Sequence, residues 1–188
     1  GGWSGALVDA GAATAPVRFR RAAVVLPGGV AVFLDTAVCT DGADHTLDLA
    51  AHVRGQWADR PAGELVTLPK QLGYEYLRDM RSGRSPGFRG TFAAPDGKPG
   101  RSIVFAGDGN DAEYWTGTGV GANTEDRVPV VIARRRAKSA SWVWAIGANG
   151  VTPVVDRVPV EGGSGLAACV RVGARSWLIV SNPDGATV

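Results

Sequence analysis

The sequence predicts an all-β fold, an antiparallel β-sandwich of many short strands. Among its 188 residues are 27 glycines and 11 prolines, which interrupt a series of short apolar runs. Turn signals that recur about every 8–12 residues are typical of antiparallel sandwiches and barrels. No run shows the periodicity of a long amphipathic helix. With 45% hydrophobic and 20% charged residues, the composition is that of a globular protein, and we expect one layered β-domain over residues 1–188.

Each strand is predicted from an apolar run between turn residues. The runs Arg18–Leu26 and Val30–Val38 flank a Pro-Gly-Gly turn and predict a hairpin. Asn149–Gly150 and Gly173–Ala174 predict two further hairpins, because these residues tolerate positive φ. Residues 73–80 are compatible with a strand or a helical turn, and residues 81–87 are interpreted as a loop. Further strands are expected at His45–Val53, Glu64–Leu68, Phe88–Ala93, Arg101–Ala106, Ala112–Thr118, Val128–Arg136, Lys138–Ala148, Leu166–Val172 and Arg175–Ser181.

Charge and cysteine content exclude several classes of function. The net charge of +2 and the pI of about 8.8 do not favour nucleic acid as a partner. No apolar run is long enough to span a bilayer, so no membrane partner is expected. The spacing of Cys39 and Cys169 fits no zinc-binding pattern. They are interpreted as buried free thiols in strands, with a disulfide in a secreted protein as the alternative.

The two histidines of the chain, His45 and His52, are seven residues apart. Side chains alternate between the faces of a strand, so an odd separation sends the two rings to opposite faces. A shared metal site would need a β-bulge and a third ligand, and we predict no metal site in this chain. His52 shares its face with Asp48 and Arg54, which makes it a structural or substrate-facing residue.

No catalytic motif stands out in the sequence. It contains no Gly-x-Ser-x-Gly elbow and no P-loop, while a carboxylate-pair glycosidase and a Cys–His nucleophile stay open on residue counts alone. The densest basic cluster is Val130–Lys138, where Arg134, Arg136 and Lys138 share one face and Arg135 takes the other. Such a face would suit an acidic polysaccharide, because guanidinium groups pair with carboxylates and sulfates. The alternative is a strand end that is simply solvated.

Three segments resemble the later β-region of heparinase II/III-like polysaccharide lyases. Arg20–Asp35 (RRAAVVLPGGVAVFLD) is similar to the strand pair that opens that region. His45–His52 (HTLDLAAH) is similar to its next strand, and Arg134–Ile146 (RRRAKSASWVWAI) to its later Arg–aromatic strand. The resemblance covers about residues 18–180 and implies a supersandwich-like β-sandwich that follows a helical, toroid-like domain.

The resemblance also implies a chemistry. Lyases of this family cleave uronic-acid polysaccharides by β-elimination, in which a base removes the C5 proton while the carboxylate is neutralised. Their catalytic and metal-binding motifs are absent here, so no catalytic residue, metal or other cofactor is assigned to this chain, and any metal ion is expected upstream of Gly1.

These expectations define a set of predictions about the role of the chain. It is expected to be a fragment or processed chain, inactive alone, whose partners are an acidic polysaccharide and the N-terminal helical part of the same protein, in a secreted or periplasmic location. The predicted substrate-binding residues are His52, Arg54, Arg134 and Arg136. The alternatives are a non-catalytic carbohydrate-binding or structural β-sandwich, and a hydrolase with a jelly-roll core.

Overall fold

The computed structural model describes residues 2–70, 73–94, 98–109, 111–161 and 165–182. Within these ranges the chain forms fifteen strands and one 3₁₀ turn at Tyr74–Tyr76. No helix in the described part is long and apolar enough to cross a bilayer. The strands are β1 (Ser4–Thr14), β2 (Val17–Leu26), β3 (Val30–Cys39), β4 (His45–His52), β5 (Gln56–Asp59), β6 (Glu64–Leu65), β7 (Arg78–Ser85), β8 (Phe88–Ala93), β9 (Arg101–Phe105), β10 (Ala112–Val120), β11 (Arg127–Ala137), β12 (Ser139–Gly147), β13 (Val154–Val158), β14 (Leu166–Val172) and β15 (Arg175–Ser181).

The described strands form three antiparallel sheets, which confirms the predicted all-β sandwich class. The first sheet has seven strands in the order β1-β2-β3-β12-β9-β8-β5. The second has five in the order β4-β11-β10-β7-β6, and the third has three in the order β13-β14-β15. Among the described strands, seven neighbouring pairs join consecutive strands, whereas five, including β3 with β12 and β4 with β11, join strands that are distant in sequence.

The seven-stranded sheet is the middle layer, because each of its faces packs against another sheet. One face joins Trp142 and Trp144 of β12 to Leu47 and Leu49 of β4 in a core shared with the five-stranded sheet. The opposite face packs against the three-stranded sheet. The predicted alternation in β4 is confirmed, since Leu47, Leu49 and Ala51 are buried while their neighbours are more exposed.

Two of the three predicted hairpins are confirmed, and the third is wrong. Strands β2 and β3 pair next to Pro27–Gly29, and β14 and β15 pair across Gly173. Asn149 and Gly150 do form a turn with positive φ values of 56° and 76°. However, β12 is already paired with β3 and β9 on its two edges. The chain therefore leaves this sheet after the turn, and β13 pairs with β14.

The segment 81–87, which we predicted to be a loop, belongs largely to strand β7. This strand pairs with β10, with Ser82 opposite Trp115. Of its eight residues only Met80 is buried, so its polar composition does not reveal a strand. The edge strand β1 was not predicted either, because its sequence, rich in glycine and alanine, shows no clear alternation of apolar and polar residues. The sequence also predicts turns at Ala94–Gly100, Gly107–Asp111 and Pro183–Gly185, of which the first two lie partly and the third entirely outside the described residues.

Both cysteines lie in strands and carry free thiols, as predicted. The predicted burial is confirmed for Cys39, which ends β3, but is wrong for Cys169 in β14, which is only half-buried.

A charged cluster lies within the core between the two larger sheets. The carboxylate of Asp35 is fully buried and receives two hydrogen bonds from Arg21, at 2.7 and 2.9 Å. The indole Nε1 of Trp144 donates a third at 2.7 Å. The guanidinium of Arg21 also lies 5.2–5.5 Å from the ring centroids of Phe19, Phe33 and Trp144. Every oxygen of the buried acid thus has a charged or polar partner, which such an acid requires.

Candidate functional site

An open groove of about 1330 Å³ runs beside the three-stranded sheet. The ends of β2, β3, β11 and β12 line it, together with the loop after β9. Its lining includes five arginines: Arg18, Arg20, Arg135, Arg136 and Arg157. We refer to it as the arginine groove.

The arginine groove carries an excess of positive charge. Arg18 and Arg20 share one acid on β1, Asp9, at 2.6 and 3.1 Å. Arg135 pairs with Asp108 at 2.7 Å. Among the described residues, these five guanidinium groups pair with two carboxylates, so the groove is expected to attract an anion.

The remaining two arginines differ in how they are held. Arg157 donates to Ser141 Oγ at 2.7 Å, and its burial lowers the pKa of the guanidinium. Arg136 is exposed and makes no ion pair with the described residues. Its guanidinium is therefore available to a ligand.

A second polar arrangement lies on the outer face of the five-stranded sheet. Arg134 of β11 faces Asp48 of β4 in the strand register, and the two form a bidentate pair at 2.8 and 2.7 Å. The indole of Trp115 lies beneath the guanidinium at 3.6 Å from its carbon. The phenol of Tyr74 donates to Asp48 and accepts from Arg134 at 3.1 Å. The opposite charges of this Asp48–Arg134 cluster therefore neutralise each other.

The four predicted substrate-binding residues do not come together in one site. His52 and Arg134 lie on the outer face of the five-stranded sheet, and only Arg136 lines the arginine groove. Arg54 follows the end of β4 and is exposed, and its carbonyl accepts a hydrogen bond from Arg101 at 2.9 Å. His45 pairs instead with Asp41 at 2.8 Å, so the two histidines occupy separate places, as the parity argument predicted.

Sequence reasoning missed four arginines of the groove: Arg18 and Arg20 on β2, Arg157 on β13, and Arg135, which it placed on the opposite face of its strand from the predicted binding residues. Arg18 and Arg20 alternate at the start of β2, which would have placed them on one face. Nothing in the sequence links them to Arg157, because strand pairing and sheet packing bring these positions together. Within the described part of the chain, no group of three or more His, Cys, Asp or Glu side chains could hold a metal ion.

Replacing Tyr74 with Phe is expected to reduce the loss of stability in alkali. Burial, followed by Asp48, raises the pKa of Tyr74 to about 12 from an ordinary value of 10.0. The folded-state pKa of Tyr74 lies above the unfolded one, so the protonated phenol contributes to the free energy of unfolding. This stabilisation is complete below about pH 10 and is lost as the pH rises to about 12. Urea unfolding at several pH values between 9 and 12 would measure it. Tyr114→Phe is the matched comparison, because burial also raises the pKa of Tyr114 to about 12. A Tyr74→Phe variant with the wild-type slope would contradict the prediction.

The chain was compared with known proteins at three levels. No protein-family model and no curated protein sequence matches it. Solved structures do match: a heparinase III with a TM-score of 0.58 and 11% identity over 97% of this chain, and a mutant of the heparan sulfate lyase HepC from Pedobacter heparinus with a TM-score of 0.57 and 10% identity over 90% of this chain. The chain spans about a quarter of their lengths, 26% and 24%. The resemblance to heparinase II/III-like lyases is thus confirmed as a similarity of fold, and this chain shares the architecture of one part of these enzymes.

Proposed function

We propose that the chain is the β-sandwich portion of a polysaccharide lyase that acts on uronic-acid-containing polysaccharide, and that the arginine groove holds the polymer. The observation that carries this proposal is the excess of guanidinium groups over carboxylates, among the described residues, in a groove of a fold shared with lyases. Guanidinium forks recognise carboxylates and sulfates in a bidentate manner. A repeating polyanion would contact several of them at once, and its affinity would gain from each contact.

In β-elimination, a base removes the C5 proton of a uronate while its carboxylate is neutralised. The groove arginines are suited to holding carboxylates, and we assign them that role. The base and the proton donor are assigned to the N-terminal helical part of the same protein, with which the chain would act in the secreted or periplasmic space. The isolated chain is therefore expected to bind the polymer without cleaving it.

The binding test compares two arginines with different settings. Arg136→Met is expected to weaken binding of heparan sulfate to the isolated chain by about tenfold, the loss of one charge-assisted contact. Arg89→Met is the matched control, since Arg89 is exposed on β8 and does not line the groove. Titration calorimetry at low and high salt would show weaker binding in high salt, because salt screens exposed charges.

Three polymers decide what the groove recognises. Alginate carries carboxylates without sulfate, and dextran is uncharged. Binding of heparan sulfate or alginate, with dextran inert, supports the proposal. Equal affinity for dextran, or an Arg136→Met variant that binds like wild type, would refute the groove as an acidic-polysaccharide site.

Lyase activity itself is tested with the full-length protein. A rise in the ultraviolet absorbance of an unsaturated uronate product, on a panel of uronate polymers, would support β-elimination. Polymer binding without any such rise would favour the alternative, a non-catalytic carbohydrate-binding β-sandwich.

A further inference from the structure

A separate pocket of about 360 Å³ lies on the outer face of the five-stranded sheet, near its edge strand β4. Its volume is at the lower end of the range for small-molecule sites, about 300–1000 Å³. The floor consists of apolar side chains from β4 and β11, including Ala50 and Ile132. The rim is formed by His52, Thr124 and the 3₁₀ turn that carries Tyr74 and Tyr76.

The walls of this pocket are held in place before any ligand arrives. Arg127 Nη1 donates to the carbonyl of Tyr76 at 2.7 Å, and Arg78 Nη1 donates to that of Glu75 at 2.5 Å, so two arginines fix the 3₁₀ turn. The His52 ring lies against Gly119, where a Cβ atom would come within 2.7 Å of Nε2. A ligand would therefore meet a largely preformed surface.

The titratable side chains that line the pocket carry no uncompensated charge. Asp48 is neutralised by the bidentate contact with Arg134. Tyr74 keeps its proton at neutral pH, since its pKa is raised to about 12. The partial burial of His52 lowers the pKa of its ring, which favours the neutral form. In contrast to the arginine groove, the lining of this pocket therefore has no excess charge, with Arg78 and Arg127 outside it, and it fits an uncharged ligand.

The pocket combines an apolar floor with polar groups at the rim that are free to bond. Neither ring nitrogen of His52 has a hydrogen-bond partner among the described residues, and Thr124 lies at the same opening. The side chain of Tyr76 is 44% exposed. A pyranose has the matching chemistry, with a C–H face that stacks on an aromatic ring and an edge of hydroxyl groups. A purely apolar side chain would leave the nitrogens of His52 unused.

We propose that this pocket binds one uncharged pyranose ring, between the His52 imidazole and the Tyr76 phenol, as a subsite separate from the arginine groove. The inference does not depend on lyase activity, since it follows from the shape, charge and hydrogen-bonding groups of the pocket alone. A branch or terminal sugar without a carboxylate or sulfate is the kind of residue that it would hold.

The test is saturation-transfer NMR on the isolated chain with the methyl pyranosides of glucose, galactose, mannose and xylose, beside methyl glucuronide. At least one neutral pyranoside is expected to receive saturation. His52→Ala and Tyr76→Ala should each weaken its binding by about tenfold, the effect of one lost contact. Gly119→Ala should also weaken it, because the added methyl group displaces the His52 ring.

Arg136→Met is the control that separates this subsite from the groove. It should leave pyranoside binding unchanged while it weakens heparan sulfate binding, so failure of one proposal is distinguishable from failure of the other. The inference is overturned if no neutral pyranoside receives saturation from a chain with a native circular dichroism spectrum. It is also overturned if the signal survives both His52→Ala and Tyr76→Ala, or if the glucuronide binds more tightly than every neutral sugar.

Discussion

Replacing Arg21 with Met is expected to lower the free energy of unfolding by about 3–5 kcal/mol, the usual effect of breaking a buried ion pair. The substitution leaves the fully buried carboxylate of Asp35 with only the indole hydrogen bond of Trp144. A buried charge without its counterion keeps the cost of desolvation and loses the compensating attraction. The aromatic rings around the guanidinium also lose a cation–π contact, which adds to the effect.

Urea unfolding monitored by tryptophan fluorescence measures this loss. Arg18→Met is the matched control, since Arg18 lies on the same strand and pairs with Asp9, but with 49% and 37% of the two side chains exposed. An exposed pair of this kind contributes about 0–1 kcal/mol. The double variant Arg21→Met/Asp35→Asn should recover part of the stability, because it removes the unpaired charge. Equal losses for Arg21→Met and Arg18→Met would contradict the interpretation.

The local pattern of the sequence was sufficient to identify strands with one buried face. In β4, the alternation of Leu47, Leu49 and Ala51 follows directly from the period of two. In β7, polar residues occupy nearly every position, and only the pairing with β10 makes the segment a strand. Hairpin signals have the same limit. The Asn149–Gly150 turn forms from local φ preferences. The partners of β12 are instead set by the sheet topology, in which β3 and β9 occupy its two edges.

For the candidate site, sequence reasoning predicted which face of a strand a residue occupies, but not which residues of other strands lie beside it. It separated His45 from His52 by parity and placed Arg134 and Arg136 on one face of a strand. It could not show that Arg134 lies opposite Asp48, because that pairing joins residues 86 positions apart. It also could not show that Arg136, near the end of the strand, reaches a groove formed by other strands. Charge alone therefore identified a basic strand, and topology decided which arginine is available to a ligand.

Arg134→Met and Arg136→Met are expected to have opposite effects, which distinguishes a structural arginine from a ligand-binding one. The first substitution removes the bidentate partner of Asp48 and the cation that lies 3.6 Å from the Trp115 ring. Both members of the pair are only 16–17% exposed, so the expected loss is about 2–3 kcal/mol of unfolding free energy, somewhat below that of a fully buried pair. Arg136 is exposed, and its removal should change the stability by less than about 0.5 kcal/mol.

The affinities for heparan sulfate should show the reverse order. Arg134 already uses its guanidinium for Asp48 and Tyr74, so Arg134→Met should bind the polymer as wild type does, whereas Arg136→Met should bind about tenfold more weakly. Urea unfolding and heparan sulfate binding, measured on the same preparations, test the predicted stabilities and the predicted affinities together. If Arg134→Met weakens binding as much as Arg136→Met while its stability is unchanged, Arg134 releases Asp48 to engage the polymer. The original interpretation of Arg134 as a substrate-binding residue would then be correct, and the ion pair would be the resting arrangement of a binding residue rather than a structural contact.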